Sequence, residues 1–123
     1  MPIPPSAQPV HVADGLADFT FIYLEYTVAS GTVTAVKQPK GWALGNFTAG
    51  VAALTFPKYF AQLFPFIGNE DTDNASATSR HQLLTKTVSL SAGTASVRCV
   101  DDNDGTTENP VDGTIKLMFA VAG

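Results

Sequence analysis

The densest set of groups able to do chemistry is the run DDNDG at Asp101–Gly105, followed by Asp112. Carboxylates this close together suit a hard cation, because calcium takes several oxygen ligands from a turning loop. The spacing does not fit the twelve-residue EF-hand loop. With Gly105 as the turn glycine, the first ligand position falls on Val100 and the last on Val111. A calcium site of another kind would draw on Asp101, Asp102, Asp104 and Asp112. The simpler reading is a solubilising, turn-forming loop, and no metal or other cofactor is expected.

Catalytic constellations are missing. The chain has two histidines, scattered serines and many carboxylates, but no Gly-x-Ser-x-Gly elbow, no His-Glu-x-x-His and no phosphate-cradling glycine loop with lysine. His11, between Val10 and Val12, has no second ligand at metal-binding spacing. The acids cluster in loops, a poor place to hold catalytic geometry. An enzyme is therefore not expected. Trp42, Tyr23, Tyr26 and Tyr59 could form a sugar-binding platform, but core packing explains the same residues without a ligand. Cys99 is the sole cysteine, so no intrachain disulfide forms, and its place on an apolar face predicts a buried, inert thiol.

The elements that must position these groups are strands. In Thr94–Val100, Ala95, Val97 and Cys99 alternate with polar residues; in Thr114–Val121, Ile115, Leu117, Phe119 and Val121 do the same. A period of two sets one row against a core. Asp-Gly at 104–105, Asn-Pro at 109–110 and Asp-Gly at 112–113 break the ladder between them, predicting an antiparallel hairpin with a long, negatively charged tip. Phe19–Val28 is aromatic and β-branched with apolar residues in both rows, so it is expected to be covered on both sides, either inside a sandwich or at a subunit contact. Thr32–Lys37, Val51–Phe56 and His81–Leu90 complete the strand pattern. Gly45 and Gly50 mark bends, and Asn69–Arg80 reads as a polar surface loop. The fold class is all-β: a single-domain antiparallel β-sandwich or jelly-roll-like barrel over residues 14–123.

Ahead of it, residues 1–13 are expected to form an extended arm that lies across a neighbouring subunit, the plainer alternative being a floppy terminus. Prolines at 2, 4, 5 and 9 fix φ and remove amide donors, which keeps the segment out of a sheet interior. Lys58–Gly68 is the most hydrophobic passage, and Pro65 keeps it from a sheet centre. Its first reading is a core strand covered on both faces; its second gives one face to a partner. Pro4, Pro5, Pro9 and Val10 of the arm, with Tyr59, Phe60, Phe64 and Phe66, are the candidate interface residues.

Composition points the same way. With 45% hydrophobic and only 15% charged residues, the surface must include apolar area, which suits a life in contact with other subunits. A net charge of −4 without a basic stripe argues against nucleic acid as a partner. The opening MPIPPSAQPV has neither the basic start nor the apolar run of a signal peptide, and no stretch is apolar enough for a spanning helix, so no membrane partner is expected.

From Val51 onward the order of features resembles small β-structured virion proteins of tailed bacteriophages, such as capsid decoration and head-fibre proteins. The resemblance is carried by GVAALTFPK at Gly50–Lys58, VSLSAGTASVRCVD at Val88–Asp101 and NPVDGTIKLMFAV at Asn109–Val121. It implies a capsid decoration (cement) protein on the capsid exterior, a homo-oligomer, most simply a trimer, bound to the major capsid protein without catalysis. The alternative is a receptor- or carbohydrate-binding module of a tail or head fibre.

Overall fold

The computed structural model describes residues 19–71, 81–101 and 104–123, without the side chains at 66, 67 and 71. Eight strands follow one another: β1 (Thr20–Ala29), β2 (Thr32–Lys37), β3 (Ala43–Leu44), β4 (Val51–Thr55), β5 (Gln62–Asp71), β6 (His81–Ser89), β7 (Thr94–Asp101) and β8 (Gly113–Ala122). There is no helix among the described residues. The strands form two four-stranded sheets, β2-β1-β8-β5 and β3-β4-β7-β6, with every neighbouring pair antiparallel. The expected β-sandwich is the architecture found.

Each sheet turns one row of side chains toward the other. Leu24, Tyr26 and Val28 of β1 and Ile115, Leu117, Phe119 and Val121 of β8 face Ala52 and Leu54 of β4 and Ala95, Val97 and Cys99 of β7. All are buried, as the period-two reading of β7 and β8 requires. Trp42 closes one end of this core, its ring 5.5–5.8 Å from those of Phe56, Phe60 and Phe119. Tyr26 is buried too, and its hydroxyl donates to Gln38 Oε1 at 2.7 Å. Burial pushes its pKa up to about 12.

Several expectations are corrected. The surface loop read at Asn69–Arg80 starts later than expected, because Asn69, Glu70 and Asp71 belong to β5. The strands β7 and β8 do not form a hairpin: they lie in different sheets, and the chain between them crosses the end of the sandwich. Strand β8 instead fills the centre of the first sheet, where β1 and β5 satisfy both of its hydrogen-bonding edges. Among the described residues strand β1 is not covered on both sides by the sandwich itself: Phe21 on its outward row is 44% exposed, the side left to the subunit-contact alternative. Nor is the 58–68 passage a doubly covered strand. Its first residues turn, Tyr59 and Phe64 are exposed, and Phe60 and Leu63 are partly buried against the core. Pro65 sits on β5, an edge strand, where its missing amide leaves no ladder bond unmade. The register of β5 against β8 shifts between Pro65 and Ile67, a β-bulge.

The crossover is pinned rather than free. The Ser30 amide donates to Asp112 Oδ1 at 2.8 Å, and the Gly50 amide to Asn109 Oδ1 at 2.8 Å. Glu108 N–H donates to the Cys99 carbonyl at 3.0 Å and Asp101 N–H to the Thr106 carbonyl at 2.8 Å. The acidic stretch therefore does not simply face solvent: Gly105–Thr107 are exposed, whereas Asp101 and Pro110 are buried.

Candidate functional site

Two features of the described residues rise above ordinary packing: an apolar outer face on the first sheet, and a polar cluster around His81 at the crossover end. The outer face follows from strand parity. With Leu24, Tyr26 and Val28 inward, Phe19, Phe21 and Tyr23 fall on the outward row, and register sets Phe21 beside Ala120 and Ala120 beside Phe64. Phe19, Ala120 and Ala122 form a small second cluster outside the main core, and the rings of Phe19 and Phe64 meet edge-on at 5.3 Å. Phe64 nonetheless stays 51% exposed. Further along the same face Glu25 pairs with Lys116, so the apolar part is confined to one end.

Of the candidate interface residues, Pro4, Pro5, Pro9 and Val10 lie outside the described residues, as does the side chain of Phe66. Tyr59 is 72% exposed, its ring 4.7 Å from that of Phe60 at a tilt of 58°, and Phe60 is anchored against Trp42. Phe64 belongs to the outer face instead. The proposed interface thus divides between two places: Tyr59 and Phe60 at the Trp42 end of the core, and Phe64 on the sheet. The four-aromatic sugar platform is not assembled, because Trp42 and Tyr26 are buried in the core.

The loop acids also separate. Asp104 accepts from the amide and hydroxyl of Thr106, at 3.0 and 2.7 Å, and those bonds hold its carboxyl below the usual carboxylate range. Asp112 caps the Ser30 amide. Asp102 lies outside the described residues. Of the described loop acids, Asp101 turns inward, continuing the row of Ala95, Val97 and Cys99.

There it meets a group that sequence reasoning did not single out. His81 opens β6 directly opposite Asp101 in the β6–β7 register, on the same inward row as Leu83. Its side chain is only 3% exposed. Nδ1 lies 2.9 Å from Glu70 Oε2 and 3.0 Å from Oε1, and Nε2 lies 2.6 Å from Glu108 Oε1. Glu70 comes from β5 in the other sheet, is nearly buried itself, and also accepts the Val111 amide at 2.8 Å. Glu108 comes from the crossover and is about half exposed.

A ring with a carboxylate at each nitrogen is satisfied only as the doubly protonated imidazolium. Burial pulls the His81 pKa down, but the hydrogen bonds and negative charges of Glu108 and Glu70 outweigh it, and the net shift is upward. Cys99, close to both Glu70 and His81, is the inert thiol expected: burial and then the charges of Glu70, Glu108 and Asp101 push it up to about 12. The sequence did carry a trace of this cluster in the inward parity of Asp101. Nothing local paired it with His81, which stands twenty residues earlier, or with Glu70 in another sheet.

Compared with protein-family models, with curated proteins and with solved structures, the chain finds no match. Its function has to be argued from its own surface.

Proposed function

We propose that this chain is a non-catalytic assembly protein, a capsid decoration protein that attaches to a virus shell as a homo-oligomer. The observation that carries the reading is the outer face of the first sheet, where Phe21 and Phe64 stay 44% and 51% exposed beside Ala120 although the sandwich core is already filled. Removing the open half of each ring from water contributes on the order of 1 kcal/mol. One such contact is weak. Repeated between copies and again on the shell, small contacts add to firm attachment through effective concentration.

The occupant assigned to this face is a second copy of the chain. Among the described residues the charged groups of this face, Glu25, Lys116 and the Lys37 amine 5.7 Å from the Tyr23 ring centroid, stand beyond Tyr23 rather than beside Phe21 and Phe64. The major capsid protein then falls to other parts of the surface, Tyr59 and the proline-rich segment before Phe19 being the candidates. Burial of Trp42 and Tyr26 weighs against the sugar-binding fibre alternative.

Light scattering and sedimentation equilibrium test the reading. The wild-type chain is expected to be oligomeric at micromolar concentration, and Phe21→Ser with Phe64→Ser to give a folded monomer. A monomeric wild type removes the self-contact. An oligomer that co-sediments with no phage shell removes the decoration role.

A further inference from the structure

We propose that His81, Asp101 and Glu108 form a binding site for a divalent transition-metal ion of the zinc class, with Glu70 as the carboxylate that orients the histidine. This site lies at the crossover end of the sandwich and is independent of the apolar face.

One ligand atom from each of His81, Asp101 and Glu108 lies within 4.8 Å of the others. Zinc bonds imidazole nitrogen and carboxylate oxygen at about 2.0–2.2 Å, so tetrahedral ligands stand roughly 3.4 Å apart. The 2.6 Å separation of His81 Nε2 and Glu108 Oε1 must widen by less than about 1 Å to admit the ion. Glu108 can move, because its side chain is about half exposed. The β6–β7 ladder sets the backbones of Asp101 and His81 opposite each other, and the Asp101 carboxylate, within 4.8 Å of the other two ligand atoms, has to settle at the same roughly 3.4 Å spacing. Three protein ligands leave the fourth position to water on the Glu108 side.

The arrangement behind the ring distinguishes this cluster from a chance group of acids. Metal-bound histidines usually donate the other ring N–H to a carboxylate, which fixes the tautomer and raises ligand basicity. Glu70 sits at Nδ1, 2.9 Å away, and is itself aimed by the Val111 amide. With Nδ1–H committed to Glu70, the nitrogen left for an ion is Nε2, the one facing Glu108. Binding exchanges one Nε2 proton, released to water, for one divalent ion. An imidazole ligand with carboxylates favours zinc, cobalt or nickel over calcium and magnesium, which prefer all-oxygen shells. The ion would join β6, β7 and the crossover in one knot.

The test is calorimetric titration of the chelator-treated full chain with zinc chloride, alongside the ¹⁵N resonances of the histidine rings. One equivalent should bind, the melting temperature should rise, and His81 Nε2 should shift while His11→Asn binds as wild type. Glu108→Gln should weaken binding at least tenfold, and Glu70→Gln by about 10–100-fold. His81→Asn should abolish it. No heat and no His81 shift at millimolar zinc would overturn the site. So would undiminished binding by both Glu108→Gln and His81→Asn, or calcium binding as tightly as zinc.

Discussion

His81 and Glu70 join the two sheets: the imidazole at the start of β6 lies 2.9 Å from a carboxylate on β5, with both side chains nearly buried. Between them they close the end of the sandwich that the crossover covers. Because Glu108 holds the other ring nitrogen, the contact is a charge-assisted pair of hydrogen bonds, and its strength follows the protonation of the ring.

For the metal-free chain this fixes the sign of a pH effect. The groups around His81 are Glu70 from β5, Asp101 and Cys99 from β7, and Glu108 from the crossover. The folded pKa of His81 lies above its unfolded value near 6.5, so its contribution is fully present below that pH and is lost as pH rises through the folded value. Denaturant midpoints measured with chelator should fall on that rise in wild type. The His81-dependent part should be absent in His81→Asn. A wild-type profile identical to that of the variant would contradict the charged ring.

Gly68 and Gly50 should tolerate no side chain. Gly68 packs against the backbone of Leu83 from the facing sheet, and a Cβ would collide with the Leu83 carbonyl. Gly50 has φ of +84°, and its Cβ would lie 2.5 Å from Glu108 N. Alanine at either position is expected to destabilise by about 2 kcal/mol or more, read from urea midpoints. Gly105→Ala meets no neighbour within 4 Å and should suffer only the strain of its positive φ.

Cys99 should ignore thiol reagents in the native state. Its side chain is buried and its thiol pKa is about 12, so almost no thiolate exists at neutral pH. Alkylation by iodoacetamide should therefore proceed only through opening, with a rate that rises with urea. Fast labelling in native buffer would contradict the placement of β7.

Two phenylalanines should separate stability from assembly. Phe119→Ala empties a fully buried core position and should cost about 3–5 kcal/mol. Phe64→Ala, half exposed, should cost the isolated chain under about 1 kcal/mol while weakening self-association. Thermal melts and light scattering on the same samples give both readings.

Much of the sandwich was legible because burial imposes a period of two. Residues 95, 97 and 99 and residues 115, 117, 119 and 121 announced their inward rows, and Pro65 announced an edge strand. Turn chemistry was less informative. Asp-Gly and Asn-Pro show that the chain leaves a ladder, but not which strand it meets next. The same connection that reads as a hairpin tip carries β8 into the other sheet, where it pairs with β1 and β5.

The alternation of side chains was therefore settled by sequence, because it depends only on neighbours two residues away. The His81 cluster was decided by tertiary structure, and most sharply by one residue of register. Before the bulge of β5 the inward positions are Leu63 and Pro65, opposite Val121 and Phe119; after it they are Gly68 and Glu70, opposite Leu117 and Ile115. Without that extra residue the inward row would run on through odd numbers, and Asn69 rather than Glu70 would face the histidine. A period-two pattern cannot report its own interruption, so the carboxylate that meets His81 becomes visible only once the strands are paired.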